Sequence, residues 1–284
     1  MRPSERLTSA FLVALAVGAL LARPPGAGTA LALLALAAAT FLLARAAPAS
    51  RAGAAVRDLV LPVAVVLATF MLLEPVIVGL NPRRYDALFS ALDARLFPSL
   101  VPAWRNAFDR APAVTDGAYL AYVSYYALPI AAAAIARRRG PAALEHAAFA
   151  ILLAFYASFA GYLLFPTSGP RLPPAEEARV VGGGAISDAV RAFLHAGERT
   201  RLDAFPSGHT AVALVSAAVG ARLAPRHGPA LLAWAVAVVF STVYVHVHYV
   251  VDVAAGAALA AAVVASAPAL ERVLARRLRA GPAR

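Results

Sequence analysis

The sequence has no cysteine and no lysine, and only 14% of its 284 residues are charged. Without cysteine there is no disulfide and no thiolate metal site, and the redox compartment stays undetermined. The low charge, together with 61% hydrophobic residues, excludes an ordinary soluble domain and indicates a membrane protein. All basic charge comes from arginine, and the net charge is +11. Because the arginines lie between apolar segments rather than in one stripe, we expect no nucleic acid partner.

Long apolar segments dominate the rest of the chain. Eight of them have the length that crosses about 30 Å of hydrocarbon. We therefore predict an all-α integral membrane protein with about eight transmembrane helices. The first segment follows Arg2 and Arg6, a pattern that also fits a signal peptide. The predicted helices cover residues 7–22, 28–47, 59–80, 117–136, 143–165, 210–224, 229–245 and 250–270.

The placement of arginine predicts how these helices face. The two chain ends and the short loops on their side hold more arginines than the other side, with a clear cluster at Arg137, Arg138 and Arg139. Since cytoplasmic loops are enriched in basic residues, we expect both termini in the cytoplasm. The long loops 81–114 and 166–206 then face outward. We expect a bacterial inner membrane, with these loops toward the periplasm or exterior.

The first outward loop has apolar residues at helical spacing. The pattern in residues 84–108 therefore predicts a helix that lies in the membrane interface. Trp104 and Phe108 are aromatic residues, which suit the depth of this interface. Such a helix either anchors the protein or contacts substrate. The second outward loop, 166–206, is polar and contains a run of three glycines.

Three segments that carry polar side chains are predicted to lie at the same level, on the outward face of the membrane: 166–171, 206–209 and 241–252. Within the last of them, His248 and Asp252 are four residues apart and share one face of a helix. The carboxylate can keep one imidazole nitrogen protonated and leave the other as a nucleophile. Alternatively, the two residues form a simple hydrogen-bonded pair.

The start of the sixth predicted helix has the features of a phosphate site. Unpaired backbone N–H groups and the helix dipole stabilise an anion there, and Gly208 allows close approach. In phosphoryl transfer, His248 would attack phosphorus while His209 protonates the leaving alkoxide and later activates the acceptor. Arg171 and Ser207 would bind phosphoryl oxygens. This chemistry requires no metal and no cofactor.

These motifs also carry a family resemblance. The motif at residues 206–209, followed by a serine and then by a histidine and an aspartate four residues apart, resembles the type 2 phosphatidic acid phosphatase superfamily. The resemblance covers the six helices from Leu59 to Leu270 and implies a six-helix lipid phosphatase or phosphotransferase core, which we place in residues 51–275. The apolar segments before it predict two N-terminal transmembrane helices in residues 1–50, and the arginines after it predict a basic cytoplasmic tail in residues 276–284. The implied catalytic residues are His248, His209 and Asp252, and the implied phosphate-binding residues are Arg171, Ser207 and Gly208.

The sequence departs from this family at two positions. Leu164 stands where the family has a lysine, and Thr242 stands where it has an arginine. The segment from Pro166 to Arg171, with the acidic residues of the preceding interfacial segment, is more similar to the inositol phosphorylceramide synthase branch. That branch moves a phosphorylated headgroup onto a lipid alcohol.

Three further residues have two interpretations each. His246 either aids phosphate binding or points elsewhere, because it is two residues away from His248. Arg201, with Arg199 and Asp203, either completes the phosphate site or belongs to a solvated loop. Glu74 lies inside a predicted transmembrane helix, where ionisable residues are functional candidates, and is either a pocket residue or a partner for an arginine.

We therefore expect a membrane enzyme that cleaves or transfers a lipid phosphate ester through a phosphohistidine. The expected substrate is a phospholipid or an isoprenoid phosphate in the bilayer, and the acceptor is either water or a lipid alcohol. A rival hypothesis is a non-catalytic lipid transporter, which predicts polar residues scattered at mid-membrane along several helices.

Overall fold

The structure, a computed structural model, describes residues 1–46, 50–100, 111–197 and 200–276. Regular structure in these ranges is helical throughout. Besides the α-helices, there is a π-helical turn at Val56–Val60 and a 3-10 turn at Pro225–His227. The helices are α1 (Pro3–Leu21), α2 (Ala27–Arg45), α3 (Arg51–Ala55), α4 (Leu61–Met71), α5 (Leu73–Leu80), α6 (Asp86–Leu96), α7 (Pro112–Ser124), α8 (Ala127–Arg139), α9 (Pro141–Leu164), α10 (Pro174–Val181), α11 (Ala185–Gly197), α12 (Gly208–Leu223), α13 (Gly228–Tyr244) and α14 (Val250–Arg276).

Within these ranges, six helical stretches are long and apolar enough to cross a membrane. The pair α7 and α8 makes a seventh candidate if it counts as one span, although it is bent by 49°. Helix α12 is apolar but has only 16 residues. The all-helical membrane architecture is thus confirmed, whereas the count of eight spans is not. The six stretches are Pro3–Leu21, Ala27–Arg45, Ala52–Met71, Pro141–Leu164, Pro225–Tyr244 and Val250–Ala275.

Two predicted helices are interrupted. The predicted helix 59–80 breaks at Leu72, and the predicted helix 117–136 breaks at Tyr125. Proline removes a backbone N–H and clashes with the carbonyl four residues earlier, so Pro75 and Pro129 favour breaks near these two positions. Helix α14 nevertheless continues through Pro268, so proline permits such a break without enforcing it.

Helix α12 is the buried centre of the bundle and packs against α8, α9, α13 and α14. Its sequence is mostly Ala, Val, Gly and Ser, and small residues allow neighbouring helices to approach closely. Two glycines of the neighbouring helices accommodate its first turn. A Cβ at Gly161 would meet the Pro206 ring, and a Cβ at Gly256 would meet the carbonyl oxygen of Ser207.

The N-terminal helices pack onto the same bundle. Helices α1 and α2 form a hairpin, and α1 lies against α5 and α9. The Ser4 backbone N–H and hydroxyl donate to the Glu145 carboxylate over 2.7 and 2.8 Å, and the Tyr156 hydroxyl donates to Thr8 over 3.0 Å. These polar contacts fix the position of α1 against α9.

Helix α6 is shorter than the interfacial helix predicted over 84–108. It ends at Leu96, and residues 101–110, which include Trp104 and Phe108, lie outside the described residues. Its Phe89 ring stacks on Phe205 with centroids 4.1 Å apart, and Asp93 Oδ1 accepts the Val251 N–H over 2.9 Å. The helix therefore braces the segment before α12 and the first turn of α14.

A glycine pair tests the packing at α12. In Gly256→Ala, the new Cβ would also come within 2.9 Å of the Thr210 Cβ, so we expect destabilisation of about 1–3 kcal/mol, as in overpacked cores. The control is Gly117→Ala in α7, where a Cβ meets nothing within 4 Å and the helix gains about 0.5–1 kcal/mol. Thermal unfolding in detergent measures both. Equal midpoints for the two variants would contradict the packing argument.

Candidate active site

The first turn of α12 is locked from both sides. Ser207 caps the helix: its hydroxyl oxygen accepts the Thr210 N–H over 3.2 Å and the Thr210 hydroxyl over 3.0 Å. Ser207 also donates its own N–H to the Asp252 carbonyl over 3.0 Å, which ties α12 to the first turn of α14. A Cβ at Gly208 would meet the Tyr162 hydroxyl. The buried Ser207 hydroxyl keeps its own hydrogen for a further acceptor.

The two histidines predicted to act together face each other. His248 Nε2 lies 3.3 Å from His209 Nδ1, and the rings meet edge to face at 67°. His209 packs against Tyr122 and Tyr125, with ring centroids 4.7 and 4.4 Å away. These aromatic contacts fix the plane of His209.

Asp252 lies behind His248. Its Oδ2 atom is 3.5 Å from His248 Nδ1 and accepts the Tyr249 N–H over 2.9 Å. Both side chains are buried, with His248 only 1% exposed. Asp252 therefore faces one ring nitrogen while His209 faces the other, an arrangement that favours a proton on Nδ1 and a lone pair on Nε2.

Arg171 is held beside the histidines by three oxygen acceptors. Its Nη1 donates to Asp203 Oδ1 over 2.8 Å and to the carbonyls of Ser168 and Arg201, each over 3.1 Å. Burial and then the charge of Arg171 lower the pKa of His248 to about 4. His248 is consequently neutral near pH 7, the form that a nucleophile requires.

The loop that carries His248 interlocks with the loop that carries Arg171. The Thr242 carbonyl accepts the N–H groups of Val247 and His248 over 3.0 and 3.1 Å. Gly169 packs directly on this turn, with a φ of 74°, and a Cβ there would meet the Val247 carbonyl oxygen. The close contact and the left-handed backbone both require glycine at this position.

His246 has an unusual backbone conformation. Its φ is 61°, a region that costs a residue other than glycine of the order of 1 kcal/mol, and the side chain is buried. His246 and His248 both line an open pocket, whose empty space, including the part open to solvent, is about 790 Å³. The pocket is lined by Ser90, Asp93, Ala94, Phe97, Pro98, Pro170, Val243, His246, His248 and Tyr249.

Glu74 and Arg201 are placed together by a hydrogen bond. The Glu74 carboxylate accepts the backbone N–H of Arg201. Glu74 is therefore the partner of an arginine, but it contacts the backbone of Arg201 and not the guanidinium. The Arg201 residue is exposed, while its carbonyl contributes to the cradle of Arg171. Arg199 lies outside the described residues.

Asp203 corrects one interpretation. The sequence favoured a solvated loop at this position, yet the residue is only 6% exposed and pairs with Arg171. A carboxylate brought into a buried environment requires a cationic partner, which Arg171 supplies from a distant part of the chain. The sequence analysis did not identify Tyr122 and Tyr125, because no local pattern in the sequence marks them as neighbours of His209.

The two positions that depart from the family contribute no cation. Leu164 is 63% exposed, and the buried Thr242 donates its hydroxyl to the Val239 carbonyl over 2.8 Å. An additional cation, Arg84, contacts the loop that carries Arg171, where it donates to the Ser168 hydroxyl over 3.0 Å. Asp86 pairs with this arginine and accepts the Ser168 N–H over 2.8 Å. Among the residues that the structure describes, no group of three or more His, Asp or Glu could hold a metal ion.

Comparison with known proteins identifies the family. The family model of the PAP2 superfamily matches residues 87–266, which is more than half of the chain and includes all three segments of the site. The chain belongs to the PAP2 superfamily. Membership in the PAP2 superfamily supports a phosphatase or phosphotransferase activity on lipid phosphates within a membrane. No curated protein and no solved structure matches the chain.

A pair of carboxylate variants tests the cradle of Arg171. Asp203→Asn removes the charge that holds this guanidinium, and we expect turnover of a lipid phosphate to fall about tenfold or more, since a buried ion pair loses one partner. Glu176→Gln is the control, because Glu176 pairs with Arg179 over 3.9 Å on the exposed surface of the same loop. Steady-state rates with a phosphatidic acid substrate measure both. Equal activity of the two variants would show that Asp203 does not position Arg171.

Proposed function

We propose that the protein cleaves or transfers a lipid phosphate ester through a phosphohistidine formed on His248. The observation that carries the proposal is the arrangement around its imidazole, with Asp252 on the Nδ1 side and His209 3.3 Å from Nε2. A nucleophile that is oriented by a carboxylate and faces an acid–base residue is the arrangement needed for covalent catalysis. The start of a helix next to it provides donors for an anion.

The reaction proceeds in two halves. In the first, the lone pair on His248 Nε2 forms a bond to phosphorus and the bond from phosphorus to the lipid oxygen breaks. His209, which takes up a proton when the anionic phosphate lies beside it, gives that proton to the leaving alkoxide. In the second, His209 takes a proton from the acceptor hydroxyl. The acceptor oxygen then attacks phosphorus, and the bond between phosphorus and nitrogen breaks. His209 thereby returns to its protonated form.

Phosphoryl oxygens are bound by groups that are already in place. Arg171 is pre-oriented by Asp203, the Ser207 hydroxyl has a hydrogen to donate, and the backbone near Gly208 lies at the positive end of the α12 dipole. Because these donors are fixed before substrate arrives, they stabilise developing charge without reorganisation.

The pocket beside His248 is proposed to hold the alcohol part of the reaction. It opens directly onto the nucleophile and presents hydroxyl, carboxylate and imidazole groups from Ser90, Tyr249, Asp93 and His246. Such groups suit a hydroxyl-bearing headgroup or acceptor, which supports a headgroup phosphotransferase of the inositol phosphorylceramide synthase type. A lipid phosphatase that uses water is the alternative.

The orientation is also part of this proposal. The candidate site lies at the end of the bundle opposite Arg137, Arg138 and Arg139, which close α8. If this arginine cluster is cytoplasmic, the site faces the periplasm of a bacterial inner membrane.

The decisive experiment uses detergent-purified protein with phosphatidic acid, phosphatidylinositol or a prenyl phosphate. Each is supplied with and without ceramide or diacylglycerol, and lipid products and free phosphate are followed together.

We expect His248→Ala to lower the rate by about 10³-fold or more, as for catalytic nucleophiles. His227→Ala, an exposed histidine in the turn before α13, is the control. Free phosphate indicates a phosphatase, and a headgroup phosphate moved to the acceptor indicates a transferase. Full activity in His248→Ala would refute the phosphohistidine.

Filling the pocket gives a separate prediction. Ala94→Trp places an indole in the pocket without changing either histidine, and we expect kcat/KM to fall at least about tenfold, or 1.4 kcal/mol. Ala91→Trp lies on an exposed part of the same helix and does not line the pocket, so it should keep the parent activity. If the Ala94 variant keeps full activity, the alcohol does not bind there.

A further inference from the structure

The end of the bundle opposite the candidate site has a second, separate cavity. This open cavity, whose empty space including the part open to solvent is about 1060 Å³, is lined by Arg2, Arg137 and Arg138 together with Asp58. Asp58 lies 2.9 Å from the Arg2 guanidinium and 3.9 Å from that of Arg137. Arg2 and Arg137 thus approach the same carboxylate, Arg2 also lies 4.0 Å from Glu5, and Arg138 lines the same cavity. Among the described residues that line the cavity, three arginines face one carboxylate, so this lining carries a net positive charge.

An apolar groove leads from this cavity into the membrane. It shares Asp58 and Leu59 with the basic cavity, and its empty space, including the part that is open to the surroundings, is about 650 Å³. Its walls come from α4, α8 and α9, and Asp58 is its single charged lining residue. The lining residues are Asp58, Leu59, Pro62, Val63, Val66, Leu67, Tyr126, Pro129, Ile130, Ala133, Ala148, Ile151, Leu152 and Phe155.

The dimensions of the groove match one leaflet. From Ala133 in α8 to Tyr126, the residue that precedes this helix, a rise of 1.5 Å per residue gives about 10 Å, roughly two thirds of the ~15 Å depth of one leaflet. The end of the groove that lies farthest from the basic cavity reaches Tyr126 and Phe155. Both residues are next to Tyr125, whose ring contacts His209. The charged mouth and the apolar groove therefore have the shape of a headgroup site above a chain site.

We propose that this cavity and groove bind an anionic phospholipid from the leaflet opposite the candidate active site. The phosphate would lie among the arginines, and one acyl chain would fill the gap between α4, α8 and α9. Charge complementarity selects an anionic headgroup, because basic cavities between transmembrane helices suit acidic lipids. A substrate of the candidate active site enters from the other side, so this lipid is not the substrate.

The test measures lipid retention by the full-length chain in detergent, using native mass spectrometry. Phosphatidylglycerol and phosphatidylcholine with identical acyl chains are compared in the His248→Ala background, which prevents turnover. We expect phosphatidylglycerol to be retained at least about tenfold better, and Arg138→Gln to reduce this preference about fivefold, the usual effect of one arginine at a membrane surface. Arg139→Gln is the matched control, because this exposed neighbour does not line the cavity.

Filling the groove tests its apolar part. Ala133→Trp should remove the retained phosphatidylglycerol while a monodisperse elution profile and an unchanged helical circular dichroism signal show that the bundle persists. Equal retention of the two lipids, or equal effects of Arg138→Gln and Arg139→Gln, would overturn the proposal. If the parent protein is a dimer and Ala133→Trp converts it to a monomer, the groove binds a second copy of the chain instead of a lipid. Because no outcome depends on catalysis, failure here is distinct from failure of the proposed reaction.

Discussion

The contact between the first turns of α12 and α14 sets the geometry on which the candidate site depends. Ser207 donates its N–H to the Asp252 carbonyl over 3.0 Å, and Gly256 provides the space for this approach. His209 follows the first of these residues closely, and His248 precedes the second by four residues. One backbone hydrogen bond between helices therefore brings two distant histidines within 3.3 Å of each other. A shift of either helix would separate the histidines before it disrupted the apolar core.

The charged groups around this contact are held by residues that are not sequence neighbours of His248. Asp203 and two carbonyls hold Arg171, and Arg171 in turn helps to keep the pKa of His248 low. Such an arrangement costs desolvation, which good geometry and several hydrogen bonds offset. The result is a neutral imidazole beside a fixed cation. This combination suits a nucleophile that must meet an anionic phosphate, because the cation attracts the phosphate while the imidazole keeps its lone pair.

The two ends of the bundle have different chemistry. One end presents histidines, hydroxyl groups and the start of a helix, and the other presents arginines around Asp58 above an apolar groove. The bent pair α7 and α8 connects them, because Tyr125 at the bend contacts His209 while α8 ends in the arginine cluster. A lipid bound at the second end would therefore fill space behind the residues that support the first.

Composition and local pattern determined the membrane class and the helical architecture, and they predicted the histidines that the structure brings together. Apolar length fixes where a helix can cross a bilayer, and the spacing of His248 and Asp252 places them on one helical face whatever the rest of the chain does. Tertiary structure decided what local pattern cannot encode: the pairing of Asp203 with Arg171, the tyrosines around His209 and the backbone of His246. The breaks near Leu72 and Tyr125 stand between these cases. Prolines three and four residues later favour a break, but neighbouring packing decides whether it forms, as the uninterrupted α14 demonstrates. Contacts between residues far apart in the chain depend on helix packing, and packing is a property of the whole bundle rather than of any one segment.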